Sequence, residues 1–200
     1  MIRYLAVEGI DGAGKSTVAR ELAAELRRLG HSVTLVREPG GTPVGESIRE
    51  ILLGLGRHLD HWTEAMLFAA ARAQLAATVI APALAKGELV VSDRSYYSSL
   101  AYQGGGRGLG MDVVRQVNET GLRGVVPDLI VLLRLDAESG FAREDERDRI
   151  SSEGIDLQRR VATAYDLLAA SEPERFVVVD ATMPVADIVA TVIAVMEQVR

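Results

Sequence analysis

The stretch "GIDGAGKST", residues 9–17, constrains the fold of this chain more than any other. Gly9, four residues, then Gly14-Lys15-Ser16 is the spacing of a phosphate-binding loop, a device that needs a strand before it and a helix after it. Both flanks comply. "IRYLAV" is apolar and β-leaning, while Ala19, Leu22, Ala23, Leu26 and Leu29 recur at helical spacing until Gly30 ends the run. Glycines let successive backbone N–H groups turn inward around an anion, and the following helix points its positive end there. The loop from Gly9 and Ile10 through Asp11, Gly12, Ala13 and Gly14 to Lys15, Ser16 and Thr17 is therefore expected to hold nucleotide phosphates. Lys15 supplies a point charge to the terminal phosphates and Ser16 an oxygen to Mg²⁺.

Five short apolar runs read as strands: 2–8, 33–36, 88–92, 128–135 and 176–180. Helical patterns separate them and a last one, "PVADIVATVIAVMEQV", follows. Strands alternating with helices imply parallel crossovers and a three-layer α/β fold. Two hundred residues suit one domain with a sizeable core. In such sheets ligands bind beyond the carboxyl ends of the strands. Charged residues stand there in every case: Lys15 after the first, Arg37 and Glu38 after the second, Asp93 and Arg94 after the third, then Asp136 and Asp180.

The net charge of −6 argues against a nucleic-acid partner, and the absence of cysteine excludes disulfides, thiolate zinc sites and a cysteine nucleophile. "AMLFAAARAQLAATVIAPAL" is the most membrane-like stretch, but Arg72 near its middle would cost roughly 2.5–3.5 kcal/mol in a bilayer. It reads as a buried helix. No secretory leader is visible, and a cytoplasmic protein with no membrane partner is expected. His31, His58 and His61 fall in loops or helix ends and read as solvated.

A phosphate loop alone fits a kinase, a GTPase, a motor or a nucleotide switch. "VVSDRS" resembles the strand-borne acid that completes a Mg²⁺ site, which makes Asp93 a metal-ligand candidate; the other reading is a helix N-cap. Arg37 and Arg94 suggest an acceptor that is itself a phosphate. Two unit charges 4 Å apart repel by about 4 kcal/mol at an effective dielectric of 20, and bidentate arginines offset that repulsion.

"EGIDGAGKST", "REPGGTPVGE", "MLFAAARAQL", "SDRSYYSSLAYQGGGRGL", "PDLIVLLRLD", "DRI" and "VVVDATMPV" resemble, in order and over nearly the full chain, the motifs of bacterial thymidylate kinases. The resemblance implies a P-loop nucleoside monophosphate kinase fold: a five-stranded parallel sheet, helices on both faces, and a short mobile lid at about 141–153. It also implies Mg²⁺ and ATP as phosphoryl donor, dTMP as acceptor on the route to dTTP, and a homodimer, with the helix around 61–85 as candidate contact. By the same resemblance Asp11 approaches the sugar 3′-hydroxyl and the metal-phosphate region, and Arg37 and Arg94 hold the acceptor phosphate. Phe68 stacks on thymine and Arg72 donates to its O4 edge. Ser99 and Gln103 meet the base, Tyr102 lies beside the sugar, and "DATMP" lies against adenine.

Phe68 and Arg72, at i and i+4, share a helix face; a buried carboxylate would serve Arg72 as well as a ligand carbonyl. Tyr102 reads equally as core. Two departures from the family stand out. "DRS" replaces the usual Asp-Arg-aromatic, as in deoxynucleoside kinases, where Glu38 would be the base acting on a hydroxyl acceptor; "REPGGTP" and "QGGGRG" do not belong to those enzymes. Residue 13 is Ala, so the loop gives the transferring group no arginine and the lid "REDERDRI" must. Of Arg143, Arg147 and Arg149, the last matches the family best; a solvated helix with i,i+4 pairs is the other reading. A third possibility is a binding module in which ATP orders the lid for a partner.

Overall fold

β1 (Tyr4–Glu8) is buried along its whole length, as a strand without polar alternation must be when helices cover both faces of a parallel sheet. It pairs in parallel with β3 (Leu89–Asp93) on one side and β4 (Leu129–Arg134) on the other. β2 (Val33–Arg37) lies outside β3 and β5 (Phe176–Asp180) outside β4, so the order is β2-β3-β1-β4-β5. The five strands fall within two residues of their sequence-predicted bounds. The computed structural model describes residues 2–56, 58–143 and 148–198.

The helices are α1 (Lys15–Arg28), α2 (Pro43–Leu53), α3 (His61–Leu75), α4 (Ala81–Ala85), α5 (Tyr96–Ser99), α6 (Met111–Leu122), α7 (Ala137–Ala142), α8 (Ile155–Ser171) and α9 (Val185–Gln198). α1 packs on α9, α2 on α3, and α3 on α6. Leu5, Leu22, Leu100, Ile130 and Leu133 are among the side chains fully enclosed between these layers. Helix starts follow the chemistry of the exposed N–H groups: Thr42, Asp60, Ser95 and Asp136 accept from the first turns of α2, α3, α5 and α7.

Two π-helical segments interrupt the α pattern. Ala76–Ile80 joins α3 to α4, and Leu100–Gly106 continues α5 and packs on α8. The first makes one continuous helix of 61–85, long and apolar enough by composition to cross a membrane. That stretch is not the buried helix the sequence suggests: only 33% of its most apolar window is buried, and Met66 is exposed. Arg72 within it is enclosed by protein and ion-paired.

Candidate active site

A cavity of about 420 Å³ opens at the carboxyl ends of β1, β2 and β3, a size suited to a small ligand. Lys15, Arg37, Glu38, Asp93 and Arg94 all line it. The charged residues after β4 and β5 do other work. Asp136 accepts from Ser139 N, and Asp180 accepts from Thr182 N and Oγ1, so both cap turns.

The phosphate loop forms as its glycines require. Gly14 opens α1 in the left-handed region at φ 87° with no side chain capping the helix, leaving the positive helix end to a ligand. A Cβ at Gly12 would collide with the Gly140 carbonyl, so the loop is pressed against α7. Lys15 is nearly buried and donates to the Ile10 carbonyl at 2.6 Å, with Asp11 at 3.8 Å. Burial, and then the charge of Arg94, brings its pKa down to about 8 against the pull of Asp11, Asp93 and Glu8. A phosphate arriving beside it raises that pKa again and favours the ammonium form further. Ser16 Oγ donates to Asp93 Oδ2 at 2.5 Å.

Arg94 has φ 73°, a left-handed conformation that a non-glycine residue holds only when its surroundings impose it. Here they do. Ser95 caps α5 and donates to buried Glu8, and Ser98 donates to the same carboxylate, so the turn after β3 is tied to the end of β1. The guanidinium then bonds Asp11 and Ser98 Oγ and lies 5.2 Å from the Tyr102 ring centre. Asp11 is also held by Gln158 Nε2 at 2.8 Å. Burial would raise the Asp11 pKa, but Arg94 and Lys15 outweigh it and hold the group at about 2. The Tyr102 hydroxyl is buried beside Asp11 and Arg94 without a hydrogen bond of good geometry, and burial foremost keeps it protonated.

Phe68, Tyr102 and Gln103 also line the cavity. Behind them Arg72, 3% exposed, donates from Nε to Glu38 at 2.5 Å and from Nη1 to Ser99 Oγ and Asn118 Oδ1. Its Nη2 donates to the Ser95 carbonyl. Glu38 Oε1 is left buried without a partner.

A family model described as Thymidylate kinase matches residues 7–192. The chain belongs to the thymidylate kinase family. A thymidylate kinase from Deinococcus radiodurans is 42% identical over 198 residues, covering 98% of this chain and 96% of its own. One from Pelotomaculum thermopropionicum is 47% identical over 185 residues, with 90% and 86% covered. The crystal structure of thymidylate kinase from Ehrlichia chaffeensis superposes with a TM-score of 0.80 at 29% identity, covering 97% of each chain. The chain is accordingly a dTMP kinase with the α/β nucleotide-kinase fold, and ATP is the family's phosphoryl donor.

Against that family pattern, several expected site residues sit elsewhere. Ser99 does not line the cavity; Ser98 does, and Ser99 turns to Arg72. Ser98, four residues before Tyr102, shares a helical face with it, and both line the cavity. Arg72 is not on the cavity wall either, being taken up by Glu38 and Asn118. Arg149 does not line the cavity. It donates to the Leu52 carbonyl at 2.7 Å and to Glu64 at 2.5 Å, because a buried guanidinium must find oxygen partners and the end of α2 and the start of α3 offer them. Arg143 is exposed at the end of α7, and Arg147 lies outside the described residues. The N-cap reading of Asp93 fails, since Ser95 performs that task.

Arg49, Asp148 and Gln158 are at the site without having been singled out. Arg49 lines the cavity and donates to the Pro39 carbonyl; burial, and next Arg37, lowers its pKa. On the polar face of an amphipathic helix such an arginine looks like any solvated one. Gln158 reaches Asp11 across 147 residues of sequence, which no local pattern announces.

Ser16 and Asp93 fit a Mg²⁺ site: one hydroxyl and one carboxylate in contact, with the remaining positions left to water and phosphate oxygens, as this ion prefers. Among the described residues no group of three or more His, Cys, Asp or Glu offers an all-protein cage.

Proposed function

We propose that this dTMP kinase binds Mg²⁺-ATP along residues 9–17 and dTMP across the cavity toward Phe68, so that the two phosphates meet between Lys15 and Arg94. The convergence of Arg94, Arg37 and Arg49 on the cavity that the phosphate loop also lines carries this reading. A γ-phosphate and an acceptor phosphate repel by at least the roughly 4 kcal/mol of unit charges at 4 Å, and three guanidinium groups offset it. The acceptor is already an anion, so no general base is needed, and Glu38 serves instead as the partner of Arg72. Mg²⁺, when bound at Ser16 and Asp93, contributes charge neutralisation on the donor phosphates.

Arg94 is pre-placed by Ser98 and Asp11 and turns from Asp11 to the acceptor phosphate. Arg37 does the same from Glu46, which it now meets at 3.0 Å. Asp11, freed of part of its pairing, accepts from the sugar hydroxyl. Phe68 stacks on the base, Gln103 meets its edge and Tyr102 packs beside the sugar. Residues 180–184, "DATMP", lie against the adenine. Arg149 fixes the base of the lid, and Lys15 and Arg94 supply the positive charge around the transferred group. The exposed side of α3, where Met66 is 57% accessible, is the contact of a homodimer. This is a cytoplasmic enzyme with no nucleic-acid or membrane partner.

Arg94→Ala tests the assignment. It is expected to lower kcat/KM for dTMP at least a hundredfold, because both ground and transition states lose a charge-assisted contact. The affinity for ATP, measured by calorimetry without dTMP, changes less than threefold. Loss of ATP affinity with unchanged dTMP kinetics would place Arg94 on the donor instead.

A further inference from the structure

Away from the phosphates, one fully buried carboxylate gathers three separate parts of the chain. Glu64, on the first turn of α3, is 0% exposed. Its Oε1 accepts from Gln103 Nε2 at 2.9 Å and Arg107 Nε at 3.0 Å. Its Oε2 accepts from Arg107 Nη2 at 3.0 Å and Arg149 Nη2 at 2.5 Å. Burial would raise its pKa, but the hydrogen bonds from Arg107, Gln103 and Arg149 prevail and the group is ionised. An ionised carboxylate can only accept. The side of the Gln103 amide that faces Glu64 must therefore be its nitrogen.

Gln103 also lines the cavity, as do Tyr102 and Phe68. Among the described residues the buried side-chain polar atoms without partners are Glu38 Oε1 and the Tyr102 hydroxyl. Gln103 Oε1 is not one of them, yet no donor among the described residues is bonded to it, so it is not fully enclosed, and Gln103 lines the cavity. An amide that could rotate freely would offer a ligand either a donor or an acceptor; this one cannot.

We propose that Glu64 is a positioning residue for base selection: by holding the Gln103 nitrogen it makes the pocket present a carbonyl oxygen, an acceptor for the N3–H of a thymine-type base. The inference rests on the acceptor-pocket reading above. Cytosine carries an unprotonated N3 at the same place, so two acceptors would face each other and dCMP is rejected. The same carboxylate binds Arg149, and Arg107 also meets Glu153, so the base of the lid is fastened to the group that reads the acceptor.

The test is a cycle of Glu64→Gln, Gln103→Ala and the double variant, with kcat/KM measured for dTMP and dCMP. A glutamine at 64 can donate as well as accept, so Gln103 is released to turn over. Glu64→Gln is expected to lower the dTMP:dCMP preference at least tenfold, and to have no further effect on that ratio in the Gln103→Ala background. A folded Glu64→Gln enzyme with unchanged preference, or an equal change with and without Gln103, overturns the proposal. If Gln103→Ala alone leaves the preference intact, the acceptor-pocket placement of Gln103 itself is wrong. The wild-type protein gives a second readout that needs no stable variant: exchange of the Gln103 side-chain amide protons by NMR. Their exchange should already be slow in the absence of dTMP, because Glu64 holds the nitrogen. Fast exchange in the free protein would show an amide that is not held, and overturns the proposal too.

Discussion

Asp11 shows how much one side chain in this site is asked to do. It stands between Arg94 and Lys15 and is steadied by Gln158, and its pKa falls from 3.8 to about 2. A carboxyl whose folded pKa lies below its unfolded value binds fewer protons in the native state, so its contribution is present above pH 3.8 and is lost as pH falls through about 2. The shift corresponds to about 2 kcal/mol. Asp11→Asn is therefore expected to be less stable than wild type by about 2 kcal/mol at pH 6, with the gap narrowing steadily below pH 4. Urea unfolding of both proteins across that range checks it; a gap independent of pH would show that the carboxylate is not stabilised by its neighbours. The shape of the loop was legible in the sequence because a turn of left-handed glycines opening a helix shows itself as glycines at fixed local spacing. The partner of Arg72 was not. Glu38 lies 34 residues away, and a buried ion pair leaves no periodic trace in either segment.

Among the elements, the strands were the easiest to read, since β1 and β4 are covered on both faces and appear as unbroken apolar runs. The π segment 100–106 was harder. "YSSLAYQGGG" has helical spacing, and nothing local distinguishes i+4 from i+5 closure; Ser99 is what the family resemblance implies, whereas Ser98 is the serine that lines the cavity. Three glycines there allow close approach: a Cβ at Gly105 would stand 2.5 Å from Ala164 Cβ on α8. The element 148–153 after the undescribed residues is anchored through Arg149, which reaches the ends of both α2 and α3. Arg149→Ala leaves Glu64 with Arg107 and Gln103, so its cost should fall at the lower end of the roughly 3–5 kcal/mol for breaking a buried pair. Denaturant unfolding measures that loss. An unchanged unfolding midpoint with a collapsed kcat would return Arg149 to the phosphates.

For the molecule as a whole, the order of motifs along the chain carried the family resemblance, and the parallel sheet brings the ends of β1, β2 and β3 to one cavity. The quaternary state has no such signature in one sequence. The long helix 61–85, only about a third of whose most apolar stretch is buried, is the face proposed above for a homodimer. Sedimentation equilibrium should return twice the chain mass, and Met66→Asp should shift it toward the monomer; a monomeric wild type would leave that face to another use. The central claim is the nature of the acceptor, and it is tested most directly by identifying the product. The purified protein with Mg²⁺ and ATP is offered dTMP, dCMP, ribothymidine monophosphate and thymidine in parallel, with products resolved by ³¹P NMR. The account predicts dTDP and ADP in equal amounts from dTMP, and no phosphorylation of thymidine. Conversion of thymidine to dTMP, with dTMP itself untouched, would contradict it.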